Sequence, residues 1–305
     1  MSFVNCIRPL PPFLPLSKLS PAVKTILKLL LTSLALGWLA YQMDWERIWP
    51  LLRRAQWGWI LVALVLYNVS QLLSTSRFQQ HLKAVPLSEP FSFLLRLYYR
   101  SMFFNLFLPG GIGGDGYKAW LLRTRHQTDY RLILSVLLLD RGSGMLAITF
   151  LIALLGGSSS WLMSQFGLPY GWLSGMALLV GAGGWGVYLL FFRKFVPVFP
   201  AAFSLSLGVQ STQVIVILLL LRSIGVTDHS LEYGLVFLVS SIASVLPLTV
   251  GGIGVREFVF LTAAEYLPIQ SDQAVLASLL FFFINALSSS LGAFITLPER
   301  PETRD

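Results

Sequence analysis

The sequence is short of charge, cysteine and histidine. Only 12% of its 305 residues are charged, about half the share usual in a soluble domain, so no soluble domain large enough to act alone is present. The one cysteine, Cys6, excludes an internal disulfide and says little about redox compartment. It precedes the first apolar run, which is too long for a signal-peptide core and reads as an uncleaved anchor. The three histidines, His81, His126 and His229, are scattered, so no metal-ligand spacing exists and no cofactor is called for. A G-x-x-x-x-G-K-[ST] run is missing, which excludes a Walker-type ATP site. The stretch Gly111 to Gly116 fits G-x-G-x-x-G but lacks the preceding strand that a dinucleotide site needs.

Long apolar runs fill the space that charge leaves. A bilayer-spanning helix needs about 20 apolar residues, because each residue rises about 1.5 Å through a core about 30 Å thick. Six runs qualify: about 22–43, 57–76, 132–155, 172–192, 203–221 and 274–297. They are continuously apolar, not alternating as barrel strands are. The expected fold is therefore an all-α integral membrane protein, with about six full transmembrane helices. The net charge of +8 sits in short loops beside the spans, which favours an anionic membrane surface over nucleic acid. Residues 1–21 read as a basic, Pro-rich, disordered segment, 22–297 as one polytopic membrane domain with halves at about 22–155 and 172–297, and 298–305 as a short tail.

Lysine and arginine in the loops set the expected orientation. Arg8, Lys18, Lys24 and Lys28 place the amino terminus in the cytoplasm, as do Lys118, Arg123, Arg125 and Arg131 for the loop from 116 to 131. The uncharged loop from 156 to 171 falls outside, and Arg193 and Lys194 return the chain inside. The loop 44–56, expected outside, disagrees with its Arg47, Arg53 and Arg54. Both termini are expected in the cytoplasm and the protein in a plasma (inner) membrane.

Two further apolar stretches, 91–108 and 231–267, are interrupted. The first continues as Asn105-Leu106-Phe107-Leu108-Pro109-Gly110-Gly111-Ile112-Gly113-Gly114-Asp115, and the second holds Leu246-Pro247, then Gly251-Gly252-Ile253-Gly254-Val255-Arg256-Glu257. The Gly-Gly-Ile-Gly runs lie 141 residues apart, one near the middle of each half. Proline blocks helix continuation and glycine permits close approach, so each stretch reads as a broken or re-entrant helix. Such backbone survives at membrane depth only inside protein or beside a wet cavity. The first break follows two spans and the second follows five, so they would dip in from opposite sides, as in an inverted repeat. Paired interrupted helices of this kind point to a transporter binding site.

At these residues the chain resembles the transmembrane, flippase-like region of lysylphosphatidylglycerol synthases and its stand-alone bacterial and archaeal relatives. The pieces that carry the resemblance are Asn105 to Asp115 with Lys118, Leu139-Asp140-Arg141-Gly142, and Leu246-Pro247 with Gly252 to Glu257. They follow the family's order from about residue 20 to 297. The family often has arginine at Lys118 and glutamate at Asp140; charge sign is kept, but lysine lacks arginine's bidentate fork. Eight residues follow Leu297, so the lysyl-transferase domain is not expected and aminoacylation is not carried over. The resemblance implies movement of an anionic phospholipid or a lipid-linked sugar between leaflets, and no enzyme activity.

Asp140 lies nine residues into the run from Arg131, which puts it about 14 Å deep. A charge there costs about 2.5 to 3.5 kcal/mol; with Arg141 it either marks a pathway or locks helices together. Asp115 and Lys118 share a helix face if the helix restarts there. They either cap the turn, or Lys118 meets a lipid phosphate while backbone amides from Gly110 to Gly116 form an anion nest. Arg256 and Glu257 hold the equivalent place in the second half, as a proton acceptor beside a cation or as a permanent ion pair. Asn68, Gln71 and Thr75 line one face of a span, and Gln210, Gln213, Asn285 and Ser288 belong to the same class of interhelical hydrogen-bonding residues. The candidate head-group site is therefore Asn105, Pro109, Gly110, Gly111, Gly113, Gly114, Asp115, Lys118, Asp140, Arg141, Pro247, Gly251, Gly252, Gly254, Arg256 and Glu257. The rival readings are a membrane-embedded head-group transferase using Asp115, Asp140 or Glu257, and a non-transporting partner of a glycosyltransferase. The expected partners are membrane lipids and a lipid-modifying enzyme; a homo-oligomer is compatible with the pattern, and nucleic acid is not.

Overall fold

The computed structural model describes residues 45–107, 113–167, 169, 171–245 and 255–298, all within the compact unit Met43–Asp305. The segment 1–21, the run at 22–43, Pro109, Gly110, Gly111, Pro247, Gly251, Gly252, Gly254 and residues 299–305 lie outside the described residues.

The described chain is helical. Helices α1 (Trp45–Arg54), α2 (Trp57–Lys83), α3 (Phe91–Phe107), α4 (Gly113–His126), α5 (Tyr130–Ser158) and α6 (Ser160–Phe166) make the first part. Helices α7 (Trp172–Phe191), α8 (Phe199–Ser223), α9 (Ser230–Val245), α10 (Val255–Ala264) and α11 (Ser271–Ser290) make the second. Short 3-10 turns at Arg193–Val198 and Leu291–Phe294 lead into α8 and follow α11. Five segments are long and apolar enough to cross a membrane: Trp57–Lys83, Tyr130–Ser158, Trp172–Phe191, Arg193–Ser223 and Ser271–Phe294. They coincide with five of the six expected runs, and the chain is a multi-pass membrane protein.

Two stretches expected as loops are helical. Helix α1 occupies most of 44–56 and α4 runs through 113–126. In α4, Asp115 lies in the first turn and Arg123, Arg125 and His126 in the last, which complements the helix dipole at both ends. The polarity that suggests a loop is what stabilises those helix ends.

The element order repeats. A long helix, a divided pair and a second long helix occur as α2, α3–α4, α5 and again as α8, α9–α10, α11. Within each divided pair the two helices pack on each other. The most extensive helix contact joins α2 to α8, the equivalent members of the two sets.

Two apolar clusters enclose a polar belt. One joins Tyr67 on α2 with Val216, Ile217 and Leu220 on α8, Phe237, Phe260 and Phe281. The other joins Phe78 on α2 with Leu94, Leu121, Val136, Tyr188 and Phe199. Between Tyr67 and Phe78, α2 turns Gln71, Ser74 and Arg77 inward, all buried.

The end of α11 is clamped to α3. Arg100 Nη1 donates to the carbonyls of Gly292 (3.2 Å) and Ala293 (3.1 Å), satisfying acceptors that a helix end leaves open. Gly292 lies against the Tyr99 carbonyl so closely that a Cβ would collide with that backbone atom and with Phe103. Gly292→Ala is expected to lower stability by about 1–3 kcal/mol. Gly58→Ala, which meets nothing within 4 Å, is expected to raise it by about 0.5–1 kcal/mol. Unfolding of the two variants in the same detergent checks the contrast.

Candidate functional site

The polar belt opens into a cavity of about 360 Å³, a size in the range of about 300–1,000 Å³ typical of ligand sites. Its walls come from seven helices. The α2 wall is Tyr67, Gln71, Ser74 and Arg77; α5 supplies Asp140, Arg141 and Gly144; and α8 supplies Gln210 and Gln213. Most of these residues fall in the middle turns of their spans, with Arg77 nearer the end of α2, so the cavity lies within the membrane-spanning part of the bundle. The last residues before each helix break meet there: Asn105 and Leu106 end α3, and Ser244 and Val245 end α9. Asp115 and Lys118 come from the restarting helix α4.

Charges in this cavity are arranged in two groups. Arg77 donates from Nε to Asp140 Oδ1 at 2.8 Å and from Nη2 to Oδ2 at 3.3 Å, and its Nη1 donates to Ser206 Oγ at 3.3 Å. This forked, doubly bonded pair is the stronger class of ion pair, and both side chains are buried. His81 lies under it. The Arg77 carbonyl, 3.1 Å from His81 Nδ1, can only accept, so Nδ1 carries the proton and Nε2 accepts from the Tyr188 hydroxyl at 3.1 Å. In the second group, Asp115 accepts from Arg141 Nε and lies 3.8 Å from Lys118 Nζ. Lys118 is packed between rings, 4.1 Å from the Tyr98 centroid and 5.0 Å from that of Phe78.

Polar side chains fix the surrounding wall. Tyr67 Oη donates to Asn285 Oδ1 at 2.7 Å. Tyr99 Oη donates to Asn68 Oδ1 at 2.6 Å, and Asn68 donates to Ser288 Oγ at 3.1 Å. Gln213 donates to Ser70 Oγ at 3.5 Å. Asn68, Asn285 and Ser288 thus make the interhelical bonds that their placement predicts.

Of the residues expected at the site, Asn105, Asp115, Lys118, Asp140 and Arg141 come together on the cavity wall. Gly113 opens α4. Gly114 donates its N–H to Asn105 Oδ1 at 2.8 Å, and a Cβ there would collide with the Ser101 carbonyl and the Asn105 side chain; only glycine lets α4 restart against α3. Asp140 and Arg141, successive on α5, diverge, and each reaches a different helix. Arg256 and Glu257 do not line the cavity. The Arg256 guanidinium stacks behind its wall, 4.7 Å from the Phe281 centroid and 5.1 Å from that of Phe237. Phe281 in turn meets the ring of Tyr67 edge-on. Glu257 accepts from Ser278 Oγ at 2.8 Å.

Arg77, Ser206, Tyr98 and His81 are neighbours of these charges that the sequence reading passes over. For Arg77 a signal was present: it lies two helical steps of three beyond Gln71, on the side of α2 that Asn68 and Gln71 begin. Tyr98 and Ser206 carry no local signal, because only the fold brings them to the site.

The family model described as the lysylphosphatidylglycerol synthase TM region matches residues 25–200 and 196–292, which include every described cavity residue. No curated protein matches the chain.

Removing one partner of the Arg77–Asp140 pair strands the other in a buried site. Arg77→Met and Asp140→Leu are each expected to cost about 3–5 kcal/mol. The double variant recovers most of that loss, because no charge is left unpaired. Unfolding of the two single variants and the double variant in detergent measures the coupling.

Proposed function

The chain belongs to the lysylphosphatidylglycerol synthase transmembrane-region family, and from that premise we propose that it is a lipid translocase, moving an anionic phospholipid or a lipid-linked sugar between leaflets. One observation carries this reading: the ends of both broken helices line a single charged cavity at membrane depth. A head group held there stays in a polar chamber while its acyl chains stay in lipid. Lys118 and Arg141 face the chamber as cations, and the restarting helix α4 directs its positive end toward the same region. The repeated element order, with α2 packed on α8, supports alternating access by rocking one half against the other. The driver is a gradient or the lipid concentration difference itself. We place the protein in the plasma (inner) membrane with both ends in the cytoplasm, and its partners are membrane lipids and the enzymes that make or modify them.

The test is crossing of a labelled phospholipid in proteoliposomes. The wild-type chain is expected to move lipid unchanged in mass. Lys118→Ala and Asp140→Asn are expected to slow the movement at least tenfold, about 1.4 kcal/mol or more in the barrier, with membrane insertion retained. Lipid of altered mass would support a head-group transferase instead. Crossing unaffected by both substitutions would remove this cavity as the site.

A further inference from the structure

Helix α1 is sorted into two sides, yet the bundle covers neither. With about 100° between successive helical residues, Trp45, Ile48, Trp49, Leu51 and Leu52 fall on one side, and Glu46, Arg47, Pro50, Arg53 and Arg54 on the other. Among the described residues no helix packs extensively against α1. Trp49, on the apolar side, is 52% exposed, and Glu46, Arg53 and Arg54 are exposed on the polar side. An apolar side of this kind needs an apolar neighbour. Length and charge exclude a span: ten residues of helix reach about 15 Å, half the hydrocarbon core, and four of the ten are charged.

The chain holds α1 at the edge of the membrane. Only Ala55 and Gln56 separate it from α2, and both are tied to the bundle. Ala55 is buried. The Gln56 N–H donates to the Ser223 carbonyl at the end of α8 at 2.8 Å, and Gln56 Oε1 accepts from Trp59 Nε1 at 2.9 Å. Trp57 and Trp59 stand in the first turn of the span α2, and the Arg222 guanidinium lies 4.7 Å from the Trp59 centroid. Tryptophan and arginine at the end of a span mark the headgroup layer, so α1 leaves the bundle at that level. On α1 itself the Arg53 guanidinium lies 5.2 Å from the Trp49 centroid. That contact lets the ring enter the boundary layer while the charge stays at the surface, as a snorkelling side chain does.

We infer that α1 lies in the plane of the membrane, with its tryptophan side sunk into the boundary between headgroups and acyl chains and with Arg53 and Arg54 bound to the phosphates of anionic lipids. Tryptophan and leucine on one side and arginine on the other are the make-up of helices that bind such a surface. The surface is separate from the cavity and does not depend on the translocase reading. It also gives the arginines of 44–56, which run against the expected orientation, a partner in the leaflet on their own side.

The experiment uses the full chain in vesicles of phosphatidylcholine with and without phosphatidylglycerol. Cys6→Ser removes the one cysteine. In that background Leu52→Cys or Pro50→Cys places a nitroxide on the apolar or the polar side without removing an arginine or a tryptophan. Collisions of each label are read with oxygen, which concentrates in lipid, and with a water-soluble nickel chelate. The label at 52 is expected to meet oxygen severalfold more than the chelate, and the label at 50 the reverse. Phosphatidylglycerol is expected to carry the label at 52 deeper, and Arg53→Gln together with Arg54→Gln to abolish that shift. Chelate reaching both labels equally, as on a helix in water, overturns the inference. A label at 52 shielded from both reagents, as at a contact with the bundle or with a second copy of the chain, also overturns it. A depth that ignores phosphatidylglycerol, or a shift that survives the loss of both arginines, overturns the contact with lipid phosphates.

Discussion

A charge inside hydrocarbon must be paired, hydrated or bound, and the architecture around residue 140 follows from that constraint. Arg77 and Asp140 could not both be buried inside two spans without each other. Their forked contact holds α2 against α5, while Ser206 brings α8 to the same point. Three spans are therefore fixed at one depth by a single polar node. Above and below it the helices join through apolar clusters centred on Phe281 and Phe78. The cavity is the space that this node holds open.

The helix ends carry the rest of the chamber's polar wall. Ending each helix at the chamber brings Asn105 and Ser244 to its wall, and restarting the first as α4 carries Asp115 and Lys118 back toward it. The two halves do not contribute equally. In the first, α4 places its charges on the wall; in the second, Arg256 on α10 lies behind Phe281 and Tyr67. The duplicated pattern has thus diverged in use. The first half supplies cations on the chamber wall, and the second holds a guanidinium in an aromatic sandwich.

Much of this is legible in the sequence. Runs of about 20 apolar residues reveal the spans because the bilayer imposes their length. The duplicated Leu-Pro and Gly-Gly-Ile-Gly pieces lie almost wholly outside the described residues, between the helices that flank them. Asp115, Lys118, Asp140 and Arg141 stand out because charge in an apolar run is rare. What the sequence hides is pairing. Asp140 and Arg141 are neighbours in the chain, yet one bonds to Arg77, 63 positions away, and the other to Asp115. Arg256 carries the same kind of signal as Lys118 but faces rings instead of the chamber. A linear pattern gives the depth of a charge, not the neighbour it turns toward. Polar helix ends misled for a related reason: the basic residues of α4 read as a loop but stabilise a helix terminus.

The account comes down to a charged chamber between the long helices and the Lys118 ammonium on its wall. A structure determined with phosphatidylglycerol present addresses it most directly. The account predicts the lipid phosphate inside the chamber, an oxygen within hydrogen-bonding distance of Lys118 Nζ and the acyl chains directed out between helices. Phosphate found only at the membrane surface, with the chamber holding no head group, would contradict it.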